Sequence, residues 1–160
     1  MQAQTQAQAW PAKPIRLVVP FPPGASNDVL SRITAQAMSP GLGQQIVVEN
    51  RPGGGGIVGT EAVARSPGDG YSMLNIQASF VANAALRPRL PYEPIADFAY
   101  VGMMARGPLP QVPTIAESGV PGYMAEFWWG LVVPVKTPAE ITARLGSELA
   151  GTSQSKKAAS

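Results

Sequence analysis

Ile15-Arg16-Leu17-Val18-Val19, closed at once by Pro20-Phe21-Pro22-Pro23-Gly24, is the stretch on which the fold turns. A short apolar run that ends on prolines and a glycine reads as a buried strand leaving a sheet through a sharp loop. Beyond the loop, Ser26 or Asn27 is placed to cap a helix, and Asp28 falls in its first turn, where the positive end of the helix dipole favours a carboxylate. Val29, Leu30, Ile33 and Ala37 supply the expected apolar face, and Ser39-Pro40-Gly41 the expected stop.

The same rhythm continues along the chain. Residues 45–49 form a second expected strand rich in β-branched side chains, and Asn50-Arg51-Pro52-Gly53-Gly54-Gly55-Gly56 leads from it into a short helix over 57–65. Ser66-Pro67-Gly68-Asp69-Gly70 is a turn, 71–76 a third strand, and 80–86 a helical piece. Asp97-Phe98 introduces a fourth strand over 99–104, after which Arg106-Gly107-Pro108-Leu109-Pro110 breaks all periodicity. One turn of helix is expected at 114–118 and another strand at 130–134. Thr137-Pro138-Ala139-Glu140 has the form of a capping box, with Ile141, Leu145 and Leu149 recurring four apart on the final helix. Strands alternating with helices over short loops predict an α/β fold, an open, mainly parallel sheet flanked by helices.

Composition narrows the chemistry. With 160 residues, 45% of them apolar and 14% charged, the chain is long enough for one domain with a real core. The 17 glycines and 17 prolines are scattered as turn punctuation. A net charge of +2, spread without a basic stripe, argues against nucleic acid as a partner. The absence of cysteine and histidine removes thiolate nucleophiles, imidazole catalysis and the commonest transition-metal ligands. The ten carboxylates form no close-spaced pair for general acid/base work and no calcium-type loop, so neither an enzyme, a metal site nor a cofactor is expected. No apolar run reaches the roughly 20 residues of a membrane span.

Two segments meet at the expected carboxyl edge of the sheet, where open α/β folds bind ligands. The loop Pro22, Pro23, Gly24, Ala25, Ser26, Asn27 and Asp28 leads into a helix N-terminus, whose free N–H groups attract carboxylates or phosphates. A well-capped strand-to-helix turn explains the same residues equally well. Asn75-Ile76-Gln77-Ala78-Ser79 ends the third strand and brings amide and hydroxyl groups to the same edge. Gly53 to Gly56 lacks the Lys-Ser/Thr of a P-loop and reads as a flexible turn. Trp128 and Trp129 read first as core. Neighbours in an extended segment face opposite sides, however, so one of them is placed to line a cleft.

These ordered segments resemble a known family. Trp10-Pro11-Ala12-Lys13-Pro14-Ile15-Arg16-Leu17-Val18-Val19-Pro20-Phe21-Pro22-Pro23-Gly24, Val48-Glu49-Asn50-Arg51-Pro52-Gly53, Asp69-Gly70-Tyr71 and Leu90-Pro91-Tyr92 are similar to the Bug family of tripartite tricarboxylate transporter receptors. The likeness continues through Asp97-Phe98, Val112-Pro113-Thr114-Ile115-Ala116-Glu117-Ser118-Gly119-Val120-Pro121-Gly122-Tyr123 and Gly130-Leu131-Val132-Val133-Pro134. The resemblance implies one lobe of a periplasmic-binding-protein-like, Venus-flytrap fold that captures small carboxylates and passes them to membrane components of a tripartite tricarboxylate transporter. It assigns Pro22, Pro23, Gly24, Ala25, Ser26, Asn27 and Asp28 to the first ligand loop and Asn75 to Ser79 to the second, with Gln77, Ala78 and Ser79 as its ligand residues and backbone amides and ordered waters as the main donors. Asp28 would orient the loop or meet a polar group of the ligand. Ala25 stands where the family has glycine, which would close off a positive-φ conformation.

The resemblance also sets the expected organisation. Residues 1–9 read as a leader remnant or disordered tail, 10–150 as the first Bug-type domain, and 151–160 as a disordered tail. Within the domain, 10–105 is the N-terminal part and 106–150 the returning part. Met104-Ala105 runs almost directly into Arg106-Gly107-Pro108, so the second lobe is expected to be absent, as are the family's C-terminal helices. A one-jawed clamp would bind weakly, and its exposed cleft surface would favour self-association. The expected function is a truncated periplasmic solute-binding receptor; the alternative is a structural, self-associating domain derived from one.

Overall fold

The computed structural model describes residues 10–106 and 128–155. The expected helical turn at 114–118 and the stretches 1–9 and 156–160 lie outside the described residues. The elements are β1 (Ile15–Val19), α1 (Ser26–Leu42), β2 (Ile46–Asn50), a 3-10 turn (Gly54–Gly56), α2 (Ile57–Ala64), β3 (Ser72–Gln77), α3 (Ala78–Leu86), β4 (Phe98–Arg106), β5 (Trp128–Pro134) and α4 (Ala139–Ser155). Five strands make one sheet in the order β2-β1-β3-β5-β4.

β1 pairs in parallel with β2, from Ile15 opposite Ile46 to Val19 opposite Asn50, and in parallel with β3. β5 is the exception, since it runs antiparallel to both β3 and β4. The reason is where the chain re-enters. β4 ends at the carboxyl edge, and Arg106 and Trp128 are register partners there, so β5 starts at that edge and must run back down. Hydrophobic pattern identifies a buried strand but carries no sign of its direction.

Each face of the sheet carries its own core. On one side Ile15, Leu17, Met73, Leu131 and Val133 meet Met38 and Leu42 of α1 and Ile141, Leu145 and Leu149 of α4. On the other, Val18, Leu74, Ile76 and Val132 meet Val63 of α2, and Tyr92, Phe98 and Phe80 form an aromatic cluster with ring centroids 5.6–6.2 Å apart. The expected stripe of α4 therefore faces the sheet.

Three local expectations are corrected. First, α1 turns a different face inward: Asn27, Asp28, Ser31, Thr34, Ala35, Met38 and Leu42 are buried, whereas Val29 and Ile33 are 49% and 46% exposed. Polar groups win the inward positions of its first two turns because partners on the strands and the preceding loop satisfy most of them.

Second, neither Ser26 nor Asn27 caps that helix. The cap position is Ala25, with extended backbone and no side-chain hydrogen bond. At the far end α1 carries Pro40 in its last turn and stops at Gly43, whose φ of +70° and N–H bonds to the carbonyls of Ser39 and Pro40 terminate it.

Third, the capping box at Thr137 does not form. The Pro138 carbonyl accepts from the N–H groups of Ile141 and Thr142, so the helix begins one residue later and Thr137 Oγ1 is buried without a partner. α4 also continues to Ser155, past the boundary expected at 150. Gly151-Thr152-Ser153 contains no proline to end it, and Leu149 anchors the preceding turn in the core.

Candidate functional site

The loop after β1 is organised by Asp28. Its Oδ2 accepts from the Gly24 N–H at 2.9 Å and from Arg32 Nε at 3.1 Å, while Oδ1 accepts from Asn50 Nδ2 at 3.0 Å. Arg32 reaches Oδ1 as well, at 2.9 Å, and also donates to Asn50 Oδ1. Asn50 Nδ2 closes the circuit by donating to the Phe21 carbonyl at 3.1 Å. Loop, α1 and the end of β2 are thereby tied together. Hydrogen bonding from Arg32, then from the Gly24 N–H, outweighs burial and holds the Asp28 carboxyl at about 2. With both oxygens occupied inside the protein, the geometry favours loop orientation over ligand contact for Asp28.

Gly24, not position 25, carries the unusual backbone. Its φ is +81°, whereas Ala25 sits at φ −67° and ψ 159°, a conformation open to any residue. The alanine at 25 is therefore unstrained where it stands. Gly24→Ala is expected to cost about 1–2 kcal/mol through left-handed strain alone, since a Cβ there meets no atom within 4 Å. Ala25→Gly should cost only about 0.4–1 kcal/mol, through unfolded-state entropy. Chemical denaturation of the two variants checks the contrast.

The second segment divides. The Asn75 side chain is fully buried and turned to α1: it donates from Nδ2 to Ser31 Oγ at 2.9 Å, leaving Oδ1 without a partner. Gln77 and Ser79 do stand at the edge, half-buried and 3.5 Å apart, with Ala78 exposed between them. Trp129 joins the two segments. It lies opposite Gln77 in the β3–β5 register and donates from Nε1 to Asn27 Oδ1 at 3.1 Å, while Trp128 packs into the core of the opposite face.

The glycine loop also belongs to this edge. Asn83 Nδ2 donates to the Gly55 carbonyl at 3.0 Å, and a small cleft is lined by Phe21, Gly55, Gly56, Gln77, Ser79 and Asn83 among others. Gly53 to Gly56 all have positive φ, so the run of four glycines is a shaped connection rather than a slack one. A larger groove, about 410 Å³, runs between α1 and the start of β2, and none of the expected ligand residues line it. Sequence reading missed Arg32, Asn50 and Ser31. Asn50 alone had a signal, because it ends a strand parallel to β1 and so must fall at the same edge.

The comparisons agree with this architecture. Residues 30–109, half of the chain, match the family described as Tripartite tricarboxylate transporter family receptor. Protein BugT of Bordetella pertussis (strain Tohama I) is 42% identical over 109 residues, covering 67% of this chain and 33% of BugT. A UPF0065 protein of Cupriavidus necator is 32% identical over 138 residues, covering 86% of this chain and 36% of its own length. The chain thus spans about a third of the length of these curated relatives. Among solved structures, the periplasmic binding protein BugD superposes with a TM-score of 0.81 at 22% identity. An R. palustris protein with adipate gives 0.82 at 22% identity. In both cases the match covers 89% of this chain and 83% of the other.

The fold is that of one lobe of a periplasmic solute-binding protein, an open sheet with helices on both faces, mixed rather than mainly parallel because both pairings of β5 are antiparallel. The chain belongs to the tripartite tricarboxylate transporter receptor family, the Bug-type receptors.

Proposed function

We propose that this chain is the ligand-receiving lobe of a periplasmic receptor for small carboxylates that serves a tripartite tricarboxylate-type transporter. One observation carries the reading. Pro22 to Asp28 and Gln77 to Ser79 come from separate strands to one edge, and Trp129 lies across both. Among the described residues, the N–H groups of Ser26 and Asn27 at the start of α1 find no carbonyl acceptor, which leaves donors suited to an anion. The solved relatives lend chemical direction: one is described with adipate and another with malate. No helix among the described residues is long and apolar enough to cross a membrane, in keeping with a receptor that works beside membrane partners.

A ligand that prefers the native state raises the unfolding midpoint, by the equivalent of about 2.7 kcal/mol when its concentration is a hundredfold above Kd. Thermal unfolding in millimolar acetate, malate, adipate and citrate is expected to show a saturable rise with at least one acid and none with sodium chloride at matched ionic strength. The self-associating alternative draws on Leu86 and Ile95, which are 81% and 92% exposed. A mass that grows with concentration and a midpoint indifferent to every acid would favour it.

A further inference from the structure

β4 forms one edge of the sheet, and among the described residues no strand pairs with its outer side. An exposed edge carries a row of free N–H and C=O groups, and proteins that stay apart guard it with charges, prolines or short strands. The opposite edge, β2, is guarded in this way: it is five residues long and carries Glu49, which is ion-paired to Arg16 and Arg51. β4 runs for nine residues, and from Phe98 to Ala105 it has neither a charge nor a proline.

The irregularities of β4 give it a symmetry. Its register against β5 slips between Tyr100 and Gly102 and again between Met103 and Ala105. Tyr100 and Met103 are three apart and would face opposite ways in a plain strand, yet they stand opposite Val132 and Gly130 on one face of the sheet. There they are 58% and 47% exposed. Ala99, Val101 and Met104 pack on the other face, in the core shared with α1 and α4, and a Cβ at Gly102 would meet Leu149 there at 2.9 Å. The order of faces from 99 to 104 is therefore the same read in either direction. An interface between two like copies needs that property, because each contact of residue i with residue j is repeated as j with i.

We propose that β4 pairs antiparallel with β4 of a second copy of this chain, about a two-fold axis between Val101 and Gly102, joining two five-stranded sheets into one. Ala99 then lies opposite Met104 across the axis, Tyr100 opposite Met103, and Val101 opposite Gly102, and every pair shares a face. Each exposed Tyr100 ring gains a thioether to pack on. Leu86 and Ile95, at the end of α3 and in the loop before β4, take no part. The inference stands apart from the carboxylate reading, since Pro22 to Asp28 and Gln77 to Ser79 leave β1 and β3, which lie inside the sheet.

The test is sedimentation equilibrium of the full chain across a wide concentration range, where a reversible monomer–dimer equilibrium with nothing larger is expected. Tyr100→Lys and Met103→Lys place a charge on the edge at exposed positions and should raise the dissociation constant about tenfold or more. Leu86→Lys and Ile95→Lys should leave it unchanged. Cross-linking reads the register. The chain has no cysteine, so Tyr100→Cys and Met103→Cys each introduce a single thiol. Mixed under mild oxidation, the two should form a disulfide-linked dimer much faster than either does alone, because only the pairing of 100 with 103 brings Cα atoms within the roughly 4.4–6.8 Å that a disulfide spans.

A monomer at every concentration overturns the inference without any variant. So does a mass that climbs past the dimer, since a two-fold edge closes on itself. If the Leu86 and Ile95 variants dissociate the dimer and the β4 variants do not, the surface lies elsewhere and the inference falls. It falls also if either thiol variant alone cross-links as fast as the mixture.

Discussion

Asp28→Ala is expected to lower stability by about 2–3 kcal/mol, since one truncation strands the Gly24 N–H, frees Arg32 and unlocks Asn50. For a chain of this size that is a fall of about 5–10 °C in midpoint. The larger consequence concerns the loop. Without the carboxylate, nothing holds Gly24 against the first turn of α1, so backbone amide exchange at Gly24 and Ala25 should accelerate more than in β1.

The same group sets a pH dependence whose sign follows from its depressed value. The folded carboxyl sits at about 2, against 3.8 for an ordinary aspartate. The stabilisation is therefore complete above the unfolded value and is lost as pH falls through it toward the folded one. The stability difference between parent and Asp28→Ala should be flat above about pH 5 and shrink steadily below pH 4. A difference that persists unchanged to pH 2 would show that the carboxylate charge contributes nothing to the clamp.

Leu145→Ala should be more costly still, at about 2–5 kcal/mol. Leu145 is completely buried where α4 lies against the sheet, among Leu17, Met73, Leu131 and Val133. Native domains have only about 5–15 kcal/mol to lose. Urea denaturation should show a lower midpoint with an unchanged slope, the signature of lost stability rather than of an altered native state. The effect reaches the site indirectly, because α4 also packs on α1, where Glu148 crowds Gly41.

Much of this fold is legible in the amino-acid order because its strands are short apolar runs stopped by glycine and proline. Ile15 to Val19 and Gly130 to Pro134 are of this kind. Side-chain commitments of α1 are not legible in the same way. Val29 and Ile33 look like core by type, yet Asp28 and Ser31 take the inward positions, because partners 22 and 44 residues away meet them there. Hydrogen-bond partners at such separations leave no trace in local periodicity. For the same reason Asn75 and Gln77, two residues apart on one strand, part company: the first is drawn inward by Ser31 and the second remains at the edge. The direction of β5 depends on where the chain re-enters the sheet, and Trp129 gains its importance only from that reversal.

The most direct test of the central claim is a malate and adipate titration of the ¹⁵N-labelled chain, followed by backbone amide shifts. The account predicts saturable movement of Gly24, Ala25, Ser26, Asn27 and Asp28 together with Gln77, Ala78 and Ser79, while Ile46 and Val48 beside the α1–β2 groove stay in place. Shifts confined to that groove, or no saturable shift at the two loops with either acid, would contradict a carboxylate half-site at the carboxyl edge of this sheet.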